Sequence, residues 1–344
     1  MSTTILPFEL AKDSWSEDLD SFNYGLFHTP RWIEAMSSPA APSFYLNFED
    51  GKGGLVGKLA GLKLSDSRIT GTMLYCFSGL LIKGDDEVFW QKCMEALLHY
   101  AKKHGFSRIM LYSFDYIIPK PIRVKGYYYE GMDEFRISYE GIEGPVKVSS
   151  NLKRNAKKAT KAGVTVKSST SPEILNRMMQ LLNETRATRV EKHGVDYDPM
   201  YIRNMNEKSL ARLLENGLAK LFYSELNGEI NTVLFALEDS RRIYFLLMGS
   251  DEVAYQNGIP ALVALTISDY ALDSGKSYYN LGVIPRAEQG GEGVRLFKEQ
   301  QGALSYPGYC YYSWFLSFPY RLLNPLQKWR LRRKASINTD AQVL

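Results

Sequence analysis

Apolar positions recur along the chain in two alternating rhythms. From Glu87 to His104 the residues Phe89, Cys93, Ala96, Leu97, Tyr100 and Ala101 return every three or four positions, the spacing of one helix face, and Gly105 stops the run. Arg108 to Tyr112 follows as a short apolar strand. Before this helix, Trp15 to Met36 reads as helical, with Pro30 opening its second segment. Phe44 to Phe48 and Gly54 to Leu64 read as strands around an Asp50-Gly51 turn, Met73 to Leu81 as an apolar strand, and Gly126 to Tyr139 as a further strand pair.

The second half repeats the order. Ser149, Ser150 or Asn151 can cap a helix that Gly163 ends, Ser171-Pro172-Glu173 opens another running through Thr188, and a third is expected over Met200 to Asn216. Ala219 to Leu226, the Asn227-Gly228 turn and Glu229 to Leu237 then form strand, tight turn, strand. Arg242 to Met248 is an apolar strand, Ala261 to Ser274 a helix stopped by Gly275, and Tyr278 to Val283 the strand after it. Set side by side, ALLHYAKKHGFSRIMLYSF and LTISDYALDSGKSYYNLGV share the order helix, glycine stop, strand. Two copies of one mixed unit, starting near residues 1 and 150, explain the echo, and the expected class is α/β or α+β with mixed sheets flanked by helices.

Composition narrows the setting. At 344 residues the chain is long enough for about two domains of roughly 150 residues. Cys76, Cys93 and Cys310 lack CxxC spacing, and the four histidines, His28, His99, His104 and His193, form no ligand motif, so neither a disulfide framework nor a metal centre is expected. The N-terminus lacks a basic start with an apolar core, and no apolar run approaches the roughly 18 to 20 residues that span a bilayer. A reduced, cytoplasmic setting is the expectation. Charge is localised. Lys147 to Lys167 holds seven basic residues and Arg321 to Lys334 six, with no acidic residue in either stretch; the remainder of the chain has 29 basic against 38 acidic residues. Such patches suit a phosphate-bearing partner: nucleic acid, a nucleotide tail or an anionic membrane.

Candidate chemistry concentrates in YYNLGVIPRAEQGGEGVRLFKEQQG, Tyr278 to Gly302. A strand is expected to lead into a loop rich in glycine (Gly290, Gly291, Gly293) that delivers Lys298 beside Phe297. The chain contains no GxxxxGK[ST] phosphate loop and no GxGxxG after a strand, which removes the common nucleotide-hydrolysing and dinucleotide-binding readings.

The ordered set LKRNAKKATKAGVTV, a helix, the hairpin at Asn227-Gly228, Gly249-Ser250, Pro260, YYNLGV, the glycine-rich stretch and Phe297-Lys298 resembles the FemABX aminoacyltransferases, relatives of the GNAT acyltransferases. The resemblance is best over Lys147 to Tyr312. It implies two tandem GNAT-like domains: 1–146 as acceptor platform, 147–314 as catalytic domain, and 315–344 as a basic tail that packs back on the first. It also implies transfer of an aminoacyl group from aminoacyl-tRNA onto an amine, such as a lipid- or nucleotide-linked cell-wall precursor peptide, with no resident cofactor. An acyl-CoA-dependent N-acyltransferase acting on a sugar or amino acid, and a non-catalytic RNA- or membrane-binding protein, are the alternatives.

By the same resemblance Lys298 stabilises the developing oxyanion. Phe297, Arg203, Trp32, Tyr244, Gly291 and Gly293 are expected on the substrate side, and Lys153, Arg154, Lys157, Lys158, Gln256 and Gly258 around donor phosphate or tRNA. Two departures stand out. Family members that grip a nucleotide-linked precursor carry a lysine four residues after the Trp, where this chain has Met36. The turn Tyr255-x-x-Gly258-x-Pro260 departs from the [QR]xxGx[GA] that holds coenzyme A. No general base stands out, with Tyr244 and Glu299 the only candidates. The basic tail could lie on the inner face of a membrane.

Overall fold

A computed structural model describes residues 4–65, 70–141, 144–194, 196, 198–284 and 291–337. The chain forms two compact units, one of Met1–Met132 with Pro307–Leu344, the other of Asp133–Tyr306.

In the first unit the strands are β1 (Ile5–Glu9), β2 (Ser43–Asp50), β3 (Leu55–Ser65), β4 (Thr72–Cys76), β5 (Leu81–Ile82) and β6 (Arg108–Leu111). Helices α1 (Lys12–Ser16), α2 (Pro30–Met36) and α3 (Glu87–Lys103) accompany them. Neighbouring strands run β1-β2-β3-β4-β6, with β5 on β3. All pairs are antiparallel except β4 with β6, which α3 connects as a crossover. Asp86 caps α3 by accepting from the amides of Val88 and Phe89, and Gly105 ends it with a positive φ of 74°. The apolar face foreseen for α3 packs Cys93, Leu97 and Ala101 against Leu46, Leu59, Leu74 and Ile109.

The second unit repeats the scheme. Its helices are α4 (Ser150–Lys161), α5 (Pro172–His193), α6 (Glu207–Glu215), α7 (Glu252–Asn257), α8 (Ile259–Asp273) and α9 (Gly291–Gln300). Its strands are the second half of β7 (Tyr127–Ser138), then β8 (Thr165–Ser169), β9 (Ala219–Leu226), β10 (Glu229–Glu238), β11 (Arg242–Ser250) and β12 (Tyr278–Val283), in the order β7-β12-β11-β10-β9-β8. Again one pair is parallel, β11 with β12, joined through α7 and α8. The two copies of one mixed α/β unit expected from the echo are therefore present, in the tandem arrangement that the resemblance implies. β13 (Leu304–Ser313) pairs β6, and α10 (Asn324–Ile337) belongs with the first unit.

Several local expectations are corrected. Gly126 to Tyr139 is one twelve-residue strand, β7, and not a strand pair. Gly131 introduces no turn there and lies within the strand. Trp15 to Met36 is not continuously helical; α1 and α2 are separated by 3-10 turns and by Gly25, whose added Cβ would lie 2.2 Å from the Asp115 carbonyl oxygen. The helix foreseen from Met200 starts only at Glu207, where Asn206 and Ser209 form a reciprocal cap. Gly291 and Gly293 are not in a loop. They occupy the first turn of α9, where helix formers downstream carry the backbone and the missing side chains cost least. Gly290 lies outside the described residues.

Candidate active site

β11 and β12 pair in parallel only over Arg242–Tyr244 and Tyr278–Asn280, although β11 continues to Ser250. In the first unit β4 and β6 stay paired through Cys76 and Leu111, and the chain beyond remains bonded through Tyr112 N–H to Cys76 O at 2.9 Å. The divergence in the second unit has a visible cause. The pairing of β12 with β7 slips by one residue between Asn280 and Val283. Gly282 takes a φ of 72° and donates its amide to Asn280 Oδ1 at 2.8 Å, so Asn-Leu-Gly makes a bulge.

The bulge exposes two carbonyls to one amine. Lys298 Nζ donates to Gly282 O at 2.9 Å and Val283 O at 2.7 Å, and it sits 5.7 Å from the centre of the Phe135 ring. An ammonium has three N–H groups. Two go to these carbonyls, which fixes the third direction. Lys298 is 6% exposed, and burial pushes its pKa down from 10.5 to about 7, with the Glu134 carboxylate working in the opposite direction. At neutral pH the group is close to half-protonated.

Glu134 anchors a polar cluster behind the lysine. Its Oε1 accepts from Tyr244 Oη at 3.1 Å; its Oε2 accepts from Asn280 Nδ2 at 3.0 Å and from Arg136 Nη2 at 3.2 Å. All four residues are buried. Arg136 also stacks its guanidinium 4.9 Å from the Tyr278 ring. Tyr201 hydrogen-bonds Tyr244; burial around its hydroxyl pushes that phenol up, although the residue as a whole is 44% exposed. The cluster thus runs from a half-exposed tyrosine to a buried amine.

The structure brings Lys298 and Tyr244 together, while the other sequence candidates lie elsewhere. Phe297 turns away and packs on the small apolar contact of Leu152, Ala156 and Ala261. Gly291 is buried and Gly293 exposed, with nothing within 4 Å of a Cβ added to Gly293. Glu299 is exposed near Arg295, at 4.0 Å. Arg203 is exposed, two residues after Tyr201. Trp32, in the first unit, is fully buried against Phe27 and Phe77 at ring distances of 4.5 and 5.5 Å, so it serves the core and presents no surface to a substrate.

Lys158, Gln256 and Gly258 do come together, but they close the turn they were expected to leave open. Lys158 Nζ donates to the Gln256 carbonyl, and a Cβ on Gly258 would meet Asn155 O at 2.6 Å. Pro260 brings no N–H, and the amides of Ala261 and Leu262 bond back to Gly258 O at 3.2 and 3.4 Å. The start of α8 is covered by α4 and is not an open anion cradle. Lys153, Arg154 and Lys157 are exposed, leaving the face of α4 whose Leu152, Ala156 and Ala159 are buried.

Glu134, Arg136, Asn280 and Gly282 are absent from the sequence-based candidates. Glu134 and Arg136 alternate with Phe135 and Ile137 on β7, so two charges share one strand face beside an apolar one. That pattern is the signal in the sequence that marks them. No cluster of three or more metal-ligating side chains occurs among the described residues.

The architecture is a tandem GNAT-like fold, with the strand divergence and the buried lysine in its second copy. Residues 146–292 match the family described as "Acetyltransferase (GNAT) domain", a segment that ends six residues before Lys298. Among solved structures the chain is similar to FemX at 14% identity, with 94% of this chain and 99% of that chain covered and a TM-score of 0.67. It is similar to L-PGS from Bacillus licheniformis at 16% identity, with 93% and 97% covered and a TM-score of 0.56. The C-terminal domain of a putative lysylphosphatidylglycerol synthetase from Agrobacterium fabrum is similar at 12% identity, with 92% and 97% covered and a TM-score of 0.53. At these identities the likeness is one of fold. No curated protein sequence matches the chain.

Proposed function

We propose that the protein is an acyltransferase that moves an aminoacyl group from aminoacyl-tRNA to an amine acceptor, such as the peptide of a cell-wall precursor, with the second unit catalytic and the first serving as acceptor platform. The observation that carries the reading is Lys298: an amine held by two carbonyls at the end of β12, where β11 has parted from it. The acceptor nitrogen attacks the ester carbonyl, and a C–N bond forms as the carbonyl oxygen becomes an oxyanion. The third N–H of the Lys298 ammonium donates to that oxygen. The ester C–O bond then breaks, and the ribose hydroxyl leaves with the proton given up by the amine. A fixed cationic donor of this kind contributes roughly 3 to 4 kcal/mol, about 100- to 1000-fold in rate.

Two features support tRNA as donor. The turn before α8 is occupied by Lys158, and Lys153, Arg154 and Lys157 are exposed on α4, Arg154 donating to Asn151 Oδ1 at 2.8 Å. Exposed lysines and arginines suit an extended phosphate backbone more than a single pyrophosphate. The match of residues 146–292 to an acetyltransferase domain favours a second reading, an acyl-CoA donor. Supplying labelled aminoacyl-tRNA and labelled acetyl-CoA separately, each with a lysine-containing stem peptide, distinguishes them. Label should pass to peptide from the tRNA ester alone. Transfer from acetyl-CoA alone would replace the first reading with the second, and transfer from neither would overturn both.

A further inference from the structure

We propose that the C-terminal helix α10, with the segment leading into it, is a docking surface for an anionic lipid bilayer. One side of this helix is used within the first unit. Asn324 makes a reciprocal pair with the backbone of Phe315, accepting from its amide at 2.8 Å and donating to its carbonyl at 3.0 Å. Gln327 Nε2 donates to Tyr128 Oη at 2.7 Å, and Leu331 is half-buried. Residues 324, 327 and 331 follow each other by three and four, so they share one face.

The opposite face is apolar and uncovered. Phe318 is 79% exposed, Leu322 70%, Leu326 47% and Trp329 50%. Leu326 and Trp329, three apart on α10, lie about half a turn from the docked face at 100° per residue, and Phe318 and Leu322 are exposed in the turn and 3-10 segment that lead into the helix. Arg333, the next position on the stripe, lays its guanidinium 4.6 Å from the Trp329 ring centre. Arg330 borders the stripe on one side and Arg332 on the other; Lys328, whose Nζ lies 5.2 Å from the Trp314 ring centre, and Arg321 in the preceding 3-10 turn are also exposed. No acidic residue interrupts the segment from Arg321 to Arg333.

Charge and shape select the partner. An apolar stripe flanked on both sides by long cationic side chains matches a bilayer interface. The leucines and tryptophan would enter the acyl boundary while arginine and lysine reach up to phosphate head groups. RNA would use the cations and could stack on Trp329, but Leu322 and Leu326 offer a base no π face. No helix among the described residues is long and apolar enough to cross a membrane, so the contact is interfacial.

The test uses the full chain and sedimentation with vesicles of phosphatidylcholine alone or containing about a third phosphatidylglycerol. The wild type should partition at least about tenfold more to the anionic vesicles, with a blue shift in tryptophan emission that Trp329→Phe abolishes. The double variant Leu322→Ser, Trp329→Ser alters only exposed positions; it should lose about tenfold in partitioning with an unchanged circular dichroism spectrum. Arg330→Gln with Arg332→Gln should lose the preference for anionic lipid. Absence of vesicle binding overturns the proposal. So does binding that the serine variants leave intact, or tight salt-sensitive binding to RNA with none to vesicles. Transfer to a soluble peptide is read separately, so failure here leaves the reading of Lys298 standing.

Discussion

Replacing Lys298 by Met should change how stability depends on pH, in a direction opposite to that of a lysine gaining a partner. Methionine fills the aliphatic stem without the charge. In the wild type, burial is the larger influence and holds the amine near 7 against an ordinary 10.5. Between these values the unfolded chain keeps a proton that the folded chain has lost, so stability rises with pH. Below pH 7 both states are protonated and the full penalty of the buried charge applies; above about 10.5 both are neutral and the gain levels off. A shift of that size corresponds to roughly 5 kcal/mol across the whole window, at about 1.4 kcal/mol per unit. Between pH 7 and 9 the share is about 2 kcal/mol, because the folded state is half-deprotonated at the start. The variant leaves the carbonyls of Gly282 and Val283 without this donor at about 1–3 kcal/mol each, a cost independent of pH. Urea unfolding followed by circular dichroism at pH 7, 8 and 9 separates the two effects. The stability of wild type relative to Lys298→Met should grow by about 2 kcal/mol over that range. Parallel pH profiles would refute the account of Lys298 as a buried, depressed amine.

Two further perturbations address its supports. Glu134→Gln leaves the buried Arg136 without its carboxylate and should destabilise the fold by roughly 3–5 kcal/mol in the same urea assay. It also removes the charge that favours the ammonium, so a fall of kcat/KM with rising pH, expected near 7 in the wild type, should move to lower pH. Gly282→Ala puts a Cβ 3.1 Å from Tyr244 Oη at a φ of 72° and should lower both thermal stability and transfer. Gly163→Ala, at a φ of 83° with open space around it, should show only the backbone cost of about 1–2 kcal/mol and keep transfer intact.

Much of the fold was legible where local signals agreed. β9 and β12 begin and end at the expected residues, and Asn227-Gly228 turns between β9 and β10 with φ of 54° and 83°. Apolar periodicity and glycine stops act within a few residues, so a single sequence carries them. β1, β8 and β13 were not legible. β8 is a largely exposed edge strand whose Lys167 pairs with Glu225 across the ladder, and an edge strand shows no apolar alternation. Lys298 was found as a lone basic residue near glycines, but its setting was not: the bulge at Asn280–Gly282 and the carboxylate of Glu134 come from strands more than 140 residues apart. No local pattern reports such a pairing. Conversely, Trp32 and Phe297 were candidates through the resemblance alone; burial decides against the first, and the second packs on Leu152, Ala156 and Ala261.

The central claim is that acyl transfer depends on the Lys298 amine. Single-turnover transfer of a labelled aminoacyl group from tRNA to a stem peptide, compared between wild type and Lys298→Ala with the fold of each confirmed by circular dichroism, tests it most directly. Loss of at least about tenfold in rate, approaching 100- to 1000-fold if chemistry limits the turnover, is the outcome expected of an oxyanion donor. An equal rate in a folded Lys298→Ala protein would contradict the claim.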